Sequence, residues 1–171
     1  MLVLEDAILK KENRKNFVAL GSFDGLHKGH LSLIRKIKQL AEEGKGQSIV
    51  YTFKNHPRKF ININSTLNLL MTNEEKISIL EKEGIDILAF KKFDKETMKM
   101  SPEDFIKNIC ESFNIKGIVV GFNFKFGYKN AGDIKLLNEL KSKYHFDLYV
   151  MEPCIYNDSV VSSTRIREAI I

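Results

Sequence analysis

Residues 17–30 read F-V-A-L-G-S-F-D-G-L-H-K-G-H. The apolar run Phe17, Val18, Ala19, Leu20 predicts a buried strand that breaks at Gly21. A turn follows, carrying Gly25 and Gly29 and two histidines, His27 and His30. Behind it, apolar residues at 31, 33, 34, 37, 40 and 41 keep the spacing of an amphipathic helix. Strand, glycine-rich turn and helix start thus bring unpaired N–H groups and a positive dipole end to one place, which suits a phosphate. Gly29 removes a side chain where the phosphate must approach the backbone. The two imidazoles add N–H donors for the charge that builds on oxygen in phosphoryl or nucleotidyl transfer.

Outward from this unit, strand-like and helix-like segments alternate. Residues 47–53 (Q-S-I-V-Y-T-F) are β-branched and aromatic and predict a strand; N-H-P-R-K-F (55–60) is then expected as a loop, with Pro57 ending strand pairing. Thr72 and Glu75 form a capping box before a helix that Gly84 stops. A strand is expected at 85–90, then a helix opened by Ser101 as N-cap and Pro102 at the first helical position. The nearly continuous apolar run 116–122 reads as a strand in a sheet covered on both faces. A loop with Gly127 and Gly132, a helix around 133–141, a strand at 146–151 and a short final helix capped by Ser162 or Ser163 complete the chain. About five strands with intervening helices predict an α/β fold with a largely parallel sheet, whose ligands bind at the carboxyl ends of the strands. The segments 21–30, 54–58 and 122–127 all follow strands and can converge there, and 54–71 is the least regular stretch, a candidate flap.

Composition sets the bounds. The 171 residues, 43% hydrophobic and 29% charged, are enough for one domain with a proper core. No apolar run approaches a membrane span, and the acidic early N-terminus does not read as a secretory signal. Cys110 and Cys154 have neither zinc-ligand spacing nor a disulfide pattern, which points to a reducing cytoplasm. The net charge of +5 raises nucleic-acid binding, but the lysines alternate with glutamates (K-K-E, E-E-K, E-K-E) as on a solvated face. No nucleic-acid or membrane partner is expected.

Five segments, in order, resemble the bacterial FAD synthetases in their FMN adenylyltransferase module. G-S-F-D-G-L-H-K-G-H (21–30) is similar to the family's first signature, whose H-x-G-H turn binds ATP phosphates across the nucleotidyltransferase superfamily. T-F-K-N-H-P-R-K-F (52–60) resembles its T-F-x-x-H-P segment, and 70–86 its L-T-x-x-E-K helix and following strand. V-G-F-N-F-K-F-G (120–127) resembles G-x-[DN]-F-x-F-G, and V-S-S-T-R-I-R (161–167) resembles I-S-S-T-x-x-R. The resemblance spans nearly all of 17–170. It implies a Rossmann-like, doubly wound parallel sheet and a reaction that joins FMN to the AMP part of ATP, with Mg2+ accompanying the nucleotide.

Carried over residue by residue, the resemblance assigns the ATP site to Gly21, Ser22, Phe23, Asp24, His27, Gly29, His30, Ser162, Ser163, Thr164 and Arg167. The flavin side falls to His56, Pro57, Arg58, Asn123 and Phe126, and the catalytic roles to His27, His30, Asn123 and Arg167, with no dedicated metal ligands. The chemistry of each type fits. Hydroxyls at a helix start and a planar guanidinium suit phosphate oxygens, and an amide both donates and accepts. Taken alone, 162–167 is an ordinary capped helix with a solvated arginine, and His56 a surface histidine. Phe122, Phe124 and Phe126 alternate at strand spacing, so some of them, Phe124 above all, belong to the core. Family members usually carry a riboflavin kinase module after this one. The chain stops at Ile171, so one adenylyltransferase-like domain over 1–171 is expected, without riboflavin phosphorylation. Three other readings stay open: transfer to a different phosphorylated acceptor, a flavin or nucleotide sensor without turnover, and, as the poorest because only the net charge motivates it, nucleic-acid binding.

Overall fold

The structure, a computed structural model, describes residues 1–9 and 14–170. Six strands form one sheet: β1 (Leu2–Glu5), β2 (Asn16–Leu20), β3 (Gln47–Phe53), β4 (Ile87–Lys91), β5 (Ile115–Gly121) and β6 (Asp147–Met151). Their order is β1-β4-β3-β2-β5-β6, and every neighbouring pair is parallel. All five residues of β2 are buried, as its unbroken apolar run requires of a strand covered on both faces.

Among the described residues seven α-helices accompany the sheet: α1 (Lys28–Gly44), α2 (Pro57–Ile61), α3 (Asn73–Lys82), α4 (Lys95–Lys99), α5 (Pro102–Phe113), α6 (Ile134–Tyr144) and α7 (Ser163–Ile170). Leu33, Ile34, Ile37 and Leu40 of α1 join Leu80 of α3 in one core cluster. Ile106 and Ile109 of α5 join Leu137 and Leu140 of α6 in a second. The sheet is therefore doubly wound. From β2 the chain passes through α1 to β3 on one side, while β5 lies on the other, so strand order reverses at the carboxyl ends of β2 and β5. That crevice is where such sheets bind ligands.

The helix signals are realised in atomic detail. Thr72 Oγ1 accepts from Glu75 N–H at 3.1 Å, and Glu75 Oε2 accepts from Thr72 N–H at 2.7 Å. Gly84, at φ +79°, follows the end of α3. Three elements differ from expectation. β1, a sixth strand, is a short edge whose residues are mostly exposed, so it carries no buried-strand signature. Residues 55–60 are not a plain loop: Pro57 opens α2, where a missing N–H costs nothing, and the His56 side chain caps it. A hairpin of β7 (Ile155–Tyr156) and β8 (Ser159–Val160) turns through Asn157 and Asp158, both at positive φ, the pair that a tight two-residue turn selects. Lys10, Lys11 and Glu12, part of the mixed-charge pattern, lie outside the described residues. Among the described residues no helix is long and apolar enough to cross a membrane.

Leu137 is fully buried between α6 and the sheet. Leu137→Ala is expected to lower stability by about 2–5 kcal/mol, read as a shifted urea midpoint at unchanged slope.

Candidate active site

The chain leaves β2 through a turn that is left-handed at three places, Phe23 (φ 48°), Gly25 (φ 84°) and Leu26 (φ 37°). Two of these carry side chains, so the turn stores backbone strain that its surroundings must hold. His27 then caps α1, its Nδ1 accepting from the His30 N–H at 3.3 Å. A neutral His27 consequently carries its proton on Nε2, leaving a donor free for a ligand. The His30 ring stacks on His27, with centroids 3.7 Å apart and planes 18° from parallel, and meets the Phe23 ring edge-on at 5.3 Å. A Cβ on Gly29 would come within 3.1 Å of the His27 ring, so glycine is what admits this packing.

Polar anchors from four other segments hold the turn. The Ser22 carbonyl accepts from Thr52 Oγ1 of β3 and from Lys76 Nζ of α3, each at 3.0 Å. The Asp24 carbonyl accepts from Ser163 Oγ of α7 at 2.7 Å. The Asp24 carboxylate accepts from Leu70 N–H at 2.9 Å and forms a buried ion pair with the Arg167 guanidinium. Arg167 Nε donates in turn to the Asn68 carbonyl at 2.8 Å, while the Leu70 side chain lies 2.8 Å from where a Cβ on Gly25 would sit. The expected flap is thus fastened over the turn at residues 68–70.

The site keeps its imidazoles neutral. Burial, reinforced by the charges of His27 and Lys76, pushes His30 down to about 3. Burial also lowers His27, against its own backbone hydrogen bond. His56 is lowered by burial too, with Asp24 opposing and Arg167, Arg58 and Lys76 assisting. His56, the cap of α2, thus lies within electrostatic reach of Asp24 and Arg167. His30 Nδ1 is buried and finds no hydrogen-bond partner among the described residues.

The remaining site residues fall into three groups. Gly21, Ser22, Phe23, Asp24, His27, Gly29, His30, Ser163 and Arg167 are gathered around the turn; Ser162 instead spends its hydroxyl accepting from Arg165 N–H as the cap of α7, and Thr164 is exposed. Asn123 and Arg58 are exposed, and Pro57 is half-buried at the start of α2. Phe126, expected on the flavin side, is 4% exposed, stacks on Phe124 at 5.4 Å, meets Phe105 at 6.0 Å and pairs its backbone with Gly132; Phe124, expected above all in the core, is half-buried. The exposed ring of that loop is Phe122. Lys76, Thr52 and Leu70 were not anticipated. The available signal for Lys76 was its place four residues before Leu80, on the buried stripe of α3.

The sequence matches the FAD synthetase family model over residues 9–165. The chain belongs to the FAD synthetase family. It is 33% identical over 165 residues to the bifunctional riboflavin kinase/FMN adenylyltransferase of Buchnera aphidicola subsp. Schizaphis graminum, covering 95% of this chain and 53% of that protein. To the protein of the same name from Bacillus subtilis it is 34% identical over 166 residues, covering 95% and 52%. The chain thus spans about half the length of the curated relatives it matches. A crystal structure titled macrolide-efflux protein from Streptococcus pneumoniae superposes with a TM-score of 0.85 at 25% identity, over 99% of this chain and 56% of that one.

Two outcomes are expected. Asp24→Ala leaves Arg167 buried without its partner and releases Leu70; stability should fall by about 3–5 kcal/mol in urea, and residues 62–72 should become the first site of limited proteolysis. For His30, the unfolded imidazole binds its proton near 6.5 and the folded one only near about 3. The unfolded state therefore holds more protons between these values, and stability should drop as pH falls through that window. His30→Gln should flatten the slope, and NMR should find the native ring neutral from about pH 5 upward.

Proposed function

We propose that this chain transfers the adenylyl group of ATP to FMN, giving FAD and pyrophosphate. One observation carries the reading: His27 and His30 sit stacked at the N-terminus of α1, at the end of the central buried strand. Membership of the FAD synthetase family supports it, as does the FMN adenylyltransferase activity named for the relatives. We read residues 1–171 as a single adenylyltransferase domain working in the cytoplasm, where Cys110 and Cys154 stay free, as they are here. No nucleic-acid partner is required.

In this reaction an oxygen of the FMN phosphate forms a bond to the α-phosphorus of ATP. The bond from that phosphorus to the departing pyrophosphate breaks in line with it. The nucleophile is already an anion, so no strong base is needed, and catalysis reduces to positioning and charge stabilisation. His27 donates through Nε2, and His30 and the first N–H groups of α1 join it on the phosphates. Arg167 reaches the same oxygens by exchanging Asp24 for phosphate, with Ser163 and Thr164 beside it. Asn123 at the end of β5 orients the FMN phosphate or ring edge, and His56, Pro57 and Arg58 border the flavin. Mg2+ belongs to the substrate, on the phosphates of ATP.

The test is to incubate the chain with FMN and MgATP and measure FAD and pyrophosphate together. Both should form, and His30→Ala should lower kcat by about 10²–10³-fold. Binding of ATP or FMN without product would instead mark a sensor. Riboflavin in place of FMN is the control for the kinase activity named for the relatives.

A further inference from the structure

Lys76 is a lysine with 5% exposure, rare for a residue whose charge water solvates so well. Its Nζ donates to the Ser22 carbonyl at 3.0 Å, yet that carbonyl already accepts from Thr52 Oγ1 at the same distance. A neutral hydroxyl therefore suffices to hold the backbone, and the second bond does not repay the desolvation of an ammonium. The carboxylate that bears on Lys76 is Asp24, and it is already engaged by Arg167 and Leu70. The ammonium is left as an undercompensated positive charge directly beneath a turn built to receive anions. Charged and titratable groups on three further segments interact with it electrostatically: Asp24 of the turn, His30 of α1 and His56 ahead of α2.

We propose that Lys76 is a positioning residue for nucleotide phosphates, fixing the Ser22 carbonyl at the entry of the H-x-G-H turn and supplying the buried positive charge that a polyphosphate completes. The inference rests on the adenylyltransferase reading for its reaction but makes its own claim about ATP affinity. Lys76 is pushed down to about 8 by burial, with Asp24 opposing, so the ammonium is only partly retained in mildly alkaline solution. An arriving phosphate favours the charged form and draws a proton onto it.

The experiment compares the wild-type chain with Lys76→Met and Lys76→Arg. For the Met variant, kcat/KM for ATP should fall about 10²-fold, the effect expected of a misplaced phosphate, and ATP affinity should fall with it. Lys76→Arg, which keeps charge and donors, should recover most of the loss. Calorimetry of the wild type at about pH 8.5, in two buffers of different ionisation enthalpy, should show proton uptake on ATP binding, and Lys76→Arg should show none. A Met variant with wild-type affinity and turnover overturns the proposal; so does a loss as deep in Arg as in Met when both are folded, since that marks packing alone. If neither variant folds, wild-type binding without proton uptake overturns it. A wild-type chain that binds ATP but makes no FAD sinks the adenylyltransferase reading, while the affinities still decide the role of Lys76.

Discussion

A fully buried central strand has to hand its chain to a helix at the one place where the sheet reverses its order. The turn that does so lies under a flap, so its polar backbone groups need partners from protein rather than water. The Ser22 and Asp24 carbonyls take theirs from β3, α3 and α7, elements separated by many residues in the chain. This satisfaction of a buried, left-handed turn couples the junction of β2 and α1 to β3, α3 and α7. Without it the strain at Phe23 and Leu26 has nothing to oppose it, and the two histidines lose their fixed geometry at the start of α1.

Asp24 is the residue through which flap and site communicate. Its carboxylate binds the Leu70 N–H and the Arg167 guanidinium, and Arg167 closes the circuit through the Asn68 carbonyl. Both charged partners are well shielded, with side-chain exposures of 14% for Arg167 and 5% for Asp24, so breaking the pair without a substitute anion is costly. A phosphate is such a substitute, because guanidinium binds phosphate and carboxylate with the same planar fork. The segment covering the site is thereby tied to the arginine expected to hold the substrate.

Much of this was legible in the chain. The apolar run 17–20, the capping box at Thr72 and the Ser101–Pro102 helix start each depend on local chemistry, and each stands where expected. Long-range choices were harder to read. β1 has no buried pattern because it is an edge; Phe126 shares its alternation with Phe122 and Phe124, and only the bridge to Gly132 decides which ring goes inside. Lys76 belongs among lysines that alternate with glutamates, a pattern that reads as a solvated face. Its place four residues before Leu80 is the one local sign, and a weak one, since its burial comes from docking α3 over the turn.

The electrostatic design follows from which groups are allowed to stay charged. Two stacked imidazoles 3.7 Å apart cannot both carry a proton at low cost, and burial keeps His30 neutral far below physiological pH. Neutral histidines still donate hydrogen bonds but contribute no charge of their own to hold the product. The positive charge comes instead from Lys76 and Arg167, with Asp24 offsetting part of it. In the proposed reaction, this division would attract anions through a modest net field and leave the directional donors to the oxygens where charge develops. Under the adenylyltransferase proposal, stabilisation would then be concentrated on the reacting phosphates rather than on uniform binding of both nucleotides.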